Sequence, residues 1–171
     1  GHLVEIAGME NVRVLRVGFS GYRDSVGNRG YAEAFQLERM TKTGFPGFNI
    51  NDNTPCKNVY IEECYHLDPD AGYSHWPVAV GGHYVEPIET LESELNTGVY
   101  IYKNDFRKHT YAAIRAQNWV TIYADLNELE GATGLVADCT GNSNVNSTIE
   151  RVWRFTRNNI KGTNTHGAFI R

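Results

Sequence analysis

Short runs in which apolar residues alternate with polar ones recur along the whole chain, and they constrain its fold more than any other feature. NVRVLRVG (11–18), NVYIEE (58–63), HWPVAV (75–80), GVYIY (98–102), WVTIYA (119–124), GLVAD (134–138) and the stretches 150–156 and 160–166 each read as a strand. A period of two residues puts every second side chain on one face, so such a run is half-buried in a sheet. Between the runs lie GFSGYRDSVGNRG, GFPGFNINDNTPC with Pro46 and Pro55, and DPDAG, all rich in turn formers. One segment has the other period. Tyr31, Ala34, Phe35, Leu37 and Met40 fall at helical spacings, with Asn28 to cap and Gly44 to stop, which predicts a helix over 29–40. Pro87 followed by Ile88, Leu91 and Leu95 predicts a short second helix, with Glu89, Glu92 and Glu94 on its solvated face. Arg157, Asn158 and Asn159 read as a tight hairpin turn joining the last two strands. No internal repeat is evident. The sum is an α+β chain, one N-terminal helix packed on an antiparallel sheet.

At 171 residues the chain is long enough for one core, so residues 1–171 are expected to form a single domain and a monomer. Sixteen Lys and Arg against twenty Asp and Glu give a formal net charge of −4, which excludes a bulk attraction to nucleic acid. No apolar stretch is long enough to span a membrane or to serve as a signal peptide, so a mature, soluble chain without membrane contact is expected. Ten tyrosines, seventeen glycines and the sequon Asn146-Ser147-Thr148 suggest a secreted protein. Cys56, Cys64 and Cys139 allow at most one bridge and miss the spacings of zinc sites, so no metal and no cofactor is expected; whether any two of them pair stays open.

The order of elements resembles the microbial guanyl-specific ribonucleases of the T1/N1 type. That family has a helix, a Tyr-Pro-His-x-Tyr-Asn loop, a Glu-Trp-Pro strand, an Asp-Arg-Val strand and a closing Thr-His-Thr-Gly. Here helix 29–40 precedes Phe45-Pro46-Gly47-Phe48-Asn49, then His75-Trp76-Pro77-Val78, Glu150-Arg151-Val152 and Thr165-His166-Gly167-Ala168. The resemblance covers about residues 20–80 and 148–169. It leaves a long insertion, about 83–145, between the central strands. It implies a ribonuclease T1-like fold.

RNA cleavage through the 2′-hydroxyl needs a base, an acid and a phosphate clamp. The resemblance implies His166 as the acid and Arg151 as the clamp. His75 stands where the family has its glutamate base, and Gly47 where it has a histidine. Phe45, Phe48, Asn49, Asn51 and Arg154 would contact RNA, the aromatic and amide side chains on a splayed base. A neutral histidine with a pKa of about 6.5 is a competent base, so His75 and His166 could in principle share the chemistry.

With its base rewritten, the chain is similar to the ribonuclease-like secreted effectors of plant-pathogenic fungi. The resemblance implies a secreted virulence protein with a disabled ribonuclease fold. Its partner would be host RNA or a host protein, a plant immune receptor among the candidates, after delivery into host cells. An active endoribonuclease using His75, His166 and Arg151 is the alternative. Set beside both is a plain structural role, with Arg151 on an alternating strand and His166 satisfying a carbonyl. His66, Asp68 and Asp70 read first as a turn. A weaker resemblance, to permuted papain-like hydrolases, rests on Tyr73-Ser74-His75-Trp76, Gly82-His83-Tyr84 and Cys139 as nucleophile.

Overall fold

A computed structural model describes residues 3–19, 33–38, 54–67, 78–81, 92–117, 119–138, 149–162 and 166–170. The chain winds through them in successive coils. The first holds β1 (Val4–Ala7), β2 (Arg13–Leu15) and β3 (Gly18–Phe19), and the second β4 (Glu33–Glu38), β5 (Lys57–Glu62) and β6 (Tyr65–His66). The third runs through β7 (Val78–Gly81) and β8 (Thr97–Tyr102) into the long β9 (Asp105–Gln117). β9 bends into the fourth coil, which continues through β10 (Thr121–Asp125) into β11 (Glu128–Asp138). β12 (Val152–Thr156) and β13 (Asn159–Lys161) complete the fifth, and β14 (His166–Ile170) opens the next. Every strand pairs in parallel with its equivalent one coil away. The result is a parallel β-helix, with a five-stranded sheet in the order β12-β10-β8-β5-β2 and a nine-stranded sheet that bends around the other faces.

In-register stacking puts like on like. Inside the five-stranded sheet Val59, Val99, Ile122 and Trp153 form one row, and Val14, Ile61, Ile101, Ala124 and Phe155 the next. Across the core, Phe35, Val80, Ile114 and Leu135 form a third row. Each fully buried aliphatic or aromatic side chain contributes about 1.5–3 kcal/mol. Because a coil touches only its neighbours, that stabilisation accumulates coil by coil.

The corner after the five-stranded sheet is built the same way each time. Arg16, Glu63, Lys103, Leu126 and Arg157 all have φ between 50° and 57°, a left-handed conformation that turns the chain in one residue. The next residue is Val17, Cys64, Asn104, Asn127 or Asn158. The asparagines form a ladder. The amide N–H groups of Cys64, Asn104 and Asn127 donate to the Oδ1 atoms of Asn104, Asn127 and Asn158 at 2.9, 2.9 and 3.0 Å. Their Nδ2 groups donate back to the carbonyls of Ile61, Ile101 and Ala124, each at 2.9 Å. Each asparagine, buried at 104 and 127 and half-buried at 158, thus satisfies one donor and one acceptor of the preceding coil.

Several expectations are overturned. The α+β fold with an antiparallel sheet is replaced by parallel strands throughout, because alternation fixes which face is buried and not the direction of the partner. The described part of the expected helix 29–40 is β4, whose residues Glu33 to Leu37 are all buried. A strand covered on both faces loses its period of two, and its apolar residues then fall at helical spacings by coincidence. Of the second helix only a 3₁₀ turn, Glu92–Glu94, lies in the described residues. Arg157 to Asn159 do not reverse the chain: they carry it around a corner from β12 into β13, which belongs to the other sheet. The expected insertion supplies β8 to β11, the middle of both sheets.

Candidate functional site

Inner positions of the five-stranded sheet are filled by the core, so its chemistry lies in the outward positions. There Arg13, Tyr60, Tyr100, Tyr123 and Arg154 occupy equivalent places on five successive strands. Parallel in-register pairing stacks equivalent positions directly above one another. The rings of Tyr60 and Tyr100 stack with centroids 4.6 Å apart and planes 7° from parallel, those of Tyr100 and Tyr123 at 5.1 Å and 9°. The Arg13 guanidinium lies 5.1 Å from the Tyr60 centroid and that of Arg154 5.6 Å from that of Tyr123, closing the row at both ends. All three tyrosines are half-buried, with part of each ring in water. Partial burial beside two other phenols holds the Tyr100 hydroxyl above its ordinary pKa.

The next outward row runs Leu15, Glu62, Tyr102, Asp125 and Thr156 and is polar but for its exposed leucine. Glu62 accepts from Arg13 at 3.0 Å, and Asp125 is held by Arg157 and, at 2.8 Å, by the Thr156 hydroxyl. The Arg157 hydrogen bonds keep the Asp125 carboxyl below its usual range. At the corner Arg16 donates to Glu63 at 2.6 Å and lowers its pKa in the same way. Lys103 lies 5.1 Å from the ring of Tyr102.

A second feature is a cavity of about 340 Å³ lined by Asp105, Arg107, Glu128, Leu129, Glu130 and Lys161. Three carboxylates line it against two cations. Arg107 grips Asp105 through two contacts at 2.5 and 2.6 Å, while Lys161 and Asn159 reach Glu128 at 3.6 and 2.7 Å. Among the described residues no group of three or more His, Cys, Asp or Glu is placed to hold a metal. Cys56 and Cys64 are buried free thiols, and desolvation raises both pKa values, so neither is an activated nucleophile.

The two expected catalytic residues that lie among the described ones, Arg151 and His166, stand beside different sheets. Arg151 precedes β12 at the edge of the five-stranded sheet and donates to its neighbour Ile149 O at 3.3 Å. His166 opens β14, which pairs with β11 in the other sheet, and its exposed ring leans on Phe169 at 5.5 Å. His75, Phe45, Phe48, Asn49, Asn51 and Cys139 lie outside the described residues. Arg154 alone of the expected set joins the surface row. Its neighbours Tyr60, Tyr100 and Tyr123 were legible only as strand residues. The signal was their place: each tyrosine stands four residues before a corner residue, Cys64, Asn104 or Asn127.

No family model matches the chain. It is similar to the plasmin and fibronectin-binding protein A of Streptococcus pneumoniae, with 28% identity over 136 residues, 76% of this chain and 18% of that protein. The chain thus spans less than a fifth of the curated relative's length. A crystal structure of PfbA, a surface adhesin of Streptococcus pneumoniae, superposes with a TM-score of 0.65 at 27% identity, covering 78% of this chain and 29% of that one. Another structure of this surface protein and adhesin gives 0.61 at 18% identity over 100% of this chain and 52% of that one, a likeness of fold alone. These similarities and the coiled architecture overturn the ribonuclease resemblance. With it go the fungal effector, its disabled catalytic site and the alternative of an active endoribonuclease.

Proposed function

We propose that this chain is part of a bacterial surface adhesin and binds a host extracellular protein through the outer face of its five-stranded sheet. The observation that carries the reading is the row from Arg13 through Tyr60, Tyr100 and Tyr123 to Arg154. Tyrosine and arginine are the residues that dominate binding energy at protein interfaces. The rings are held by their neighbours before any partner arrives, so little side-chain entropy is lost on contact. A nearly flat sheet face suits a protein surface better than a small substrate, which needs a concave site. The similarity to an adhesin whose name gives plasmin and fibronectin as ligands supports the same class of partner here.

The test is binding of the purified chain to immobilised fibronectin and plasmin. It is compared with a variant carrying Tyr60→Ser, Tyr100→Ser and Tyr123→Ser, checked for an unchanged β circular-dichroism spectrum. Binding by the parent and its loss in the folded variant support the reading. Equal binding by both would place the contact elsewhere.

A further inference from the structure

From the geometry of the ladder we infer the chemistry of the partner: an acidic protein surface, whose carboxylates meet Lys103 and Arg154 while its centre packs on tyrosine edges. The inference rests on the reading above. Stacking at 4.6 and 5.1 Å and the capping guanidiniums consume the faces of Tyr60, Tyr100 and Tyr123 inside the row. What reaches solvent is ring edge, the positive rim of the aromatic quadrupole, together with the phenol oxygens and their protons. The ring rims and the hydroxyl protons favour an acceptor.

The fixed charges agree. Glu62, Glu63 and Asp125, the carboxylates of this face and its corner, are each held by an arginine, namely Arg13, Arg16 and Arg157. Lys103 and Arg154 lie over rings and form no ion pair among the described residues, with Lys103 acting on Glu63 only through space, where it adds to the lowering of that carboxyl by Arg16. The face therefore carries a positive surplus on a chain whose formal charge is −4. A partner carboxylate satisfies that surplus, and complementarity of this kind sets specificity and association rate.

The spacing argues for a protein over a linear polyanion. Arg13 and Arg154 are four strand steps apart, about 19 Å at roughly 4.8 Å per step, with uncharged tyrosines between. A nucleic acid or sulfated glycan, charged along its length, calls for a continuous cationic track. Nucleic-acid bases also need open aromatic faces, and the ladder has none to give. A protein epitope with an apolar or amide centre and acidic rim fits this pattern.

The experiment uses fibronectin and plasmin in two forms, native and with surface carboxylates converted to glycinamide amides, against the full chain and the variants Lys103→Glu with Arg154→Glu and Tyr100→Ser with Tyr123→Ser. The inference expects native probe to bind the parent and amidated probe to bind at least about tenfold more weakly. It also expects the charge variant to lose a comparable factor, and heparin not to compete. Equal binding of native and amidated probe overturns the acidic partner while leaving the ladder as contact face if the tyrosine variant still fails. Competition by heparin at physiological ionic strength overturns it in favour of a sulfated glycan. Binding of neither probe, or full binding by the tyrosine variant, overturns the ladder reading and this inference with it.

Discussion

Asn127 donates its Nδ2 hydrogens both to Asn158 Oδ1, at 2.8 Å, and to the carbonyl of Ile101, at 2.9 Å, while its own Oδ1 accepts from the backbone of Asn104. One buried side chain therefore joins three coils. Tyr100 and Tyr123 each lie four residues before a rung of this ladder, Asn104 and Asn127.

Replacing it tests the scaffold. In Asn127→Ala the Asn104 N–H and the Ile101 carbonyl lose their partners in a buried corner. At about 1–3 kcal/mol for each of the two orphaned groups, a loss of about 2–6 kcal/mol is expected. Asn158→Ala orphans the Asn127 N–H and the Ala124 carbonyl in a corner that is only part-buried, and should cost less. Urea denaturation of the two variants beside the parent gives both figures, and equal, small losses would contradict the ladder's role.

The thiols offer a simple probe of core integrity. Cys56 and Cys64 are buried, raised in pKa, and donate to the carbonyls of Ile6 and Val14 at 3.2 and 3.7 Å. Neither should react with iodoacetamide in the native protein at neutral pH, and both should react once denaturant opens the coils. Mass spectrometry of the labelled peptides reads the result.

How much of this was legible in the sequence differs by level. The strands Lys57–Glu62, Thr97–Tyr102, Thr121–Asp125 and Val152–Thr156 match the alternating runs to within two residues, because one face of each is core and the other is water. The coil was missed because its repeat has no fixed length. From Cys64 to Asn104 is 40 residues, from there to Asn127 is 23, and from there to Asn158 is 31. A search for a constant period cannot find that. What is constant is local: Val-Tyr-Ile-Glu-Glu-Cys, Val-Tyr-Ile-Tyr-Lys-Asn, Ile-Tyr-Ala-Asp-Leu-Asn and Trp-Arg-Phe-Thr-Arg-Asn, at 59–64, 99–104, 122–127 and 153–158, are one corner written four times. Arg151 and His166 drew attention by type and spacing, yet spacing along a chain that turns corners does not predict proximity.

Titration should show the outer rows at both ends of the pH scale. Asp125 has its pKa depressed by Arg157, so the stabilisation it brings is present above the ordinary carboxyl value of about 3.9 and is lost as pH falls through the lower folded value. Tyr100 has its pKa raised, so its contribution is complete below about 10 and fades as pH rises through the folded value. Asp125→Asn should flatten the acid limb of a stability–pH profile, and Tyr100→Phe the alkaline limb. Both changes will be small because the groups face water. A variant that changes the opposite limb would contradict the assignment.

The central claim is that the tyrosine row touches the partner, and hydroxyl-radical footprinting reads those rings directly. In free protein Tyr60, Tyr100 and Tyr123 should oxidise at rates set by their exposed edges, alongside Tyr65, which is 42% exposed and lies on another face. With saturating fibronectin or plasmin, the account predicts strong protection of Tyr60, Tyr100 and Tyr123 and unchanged oxidation of Tyr65. Protection of Tyr65 with the row still fully reactive would contradict it.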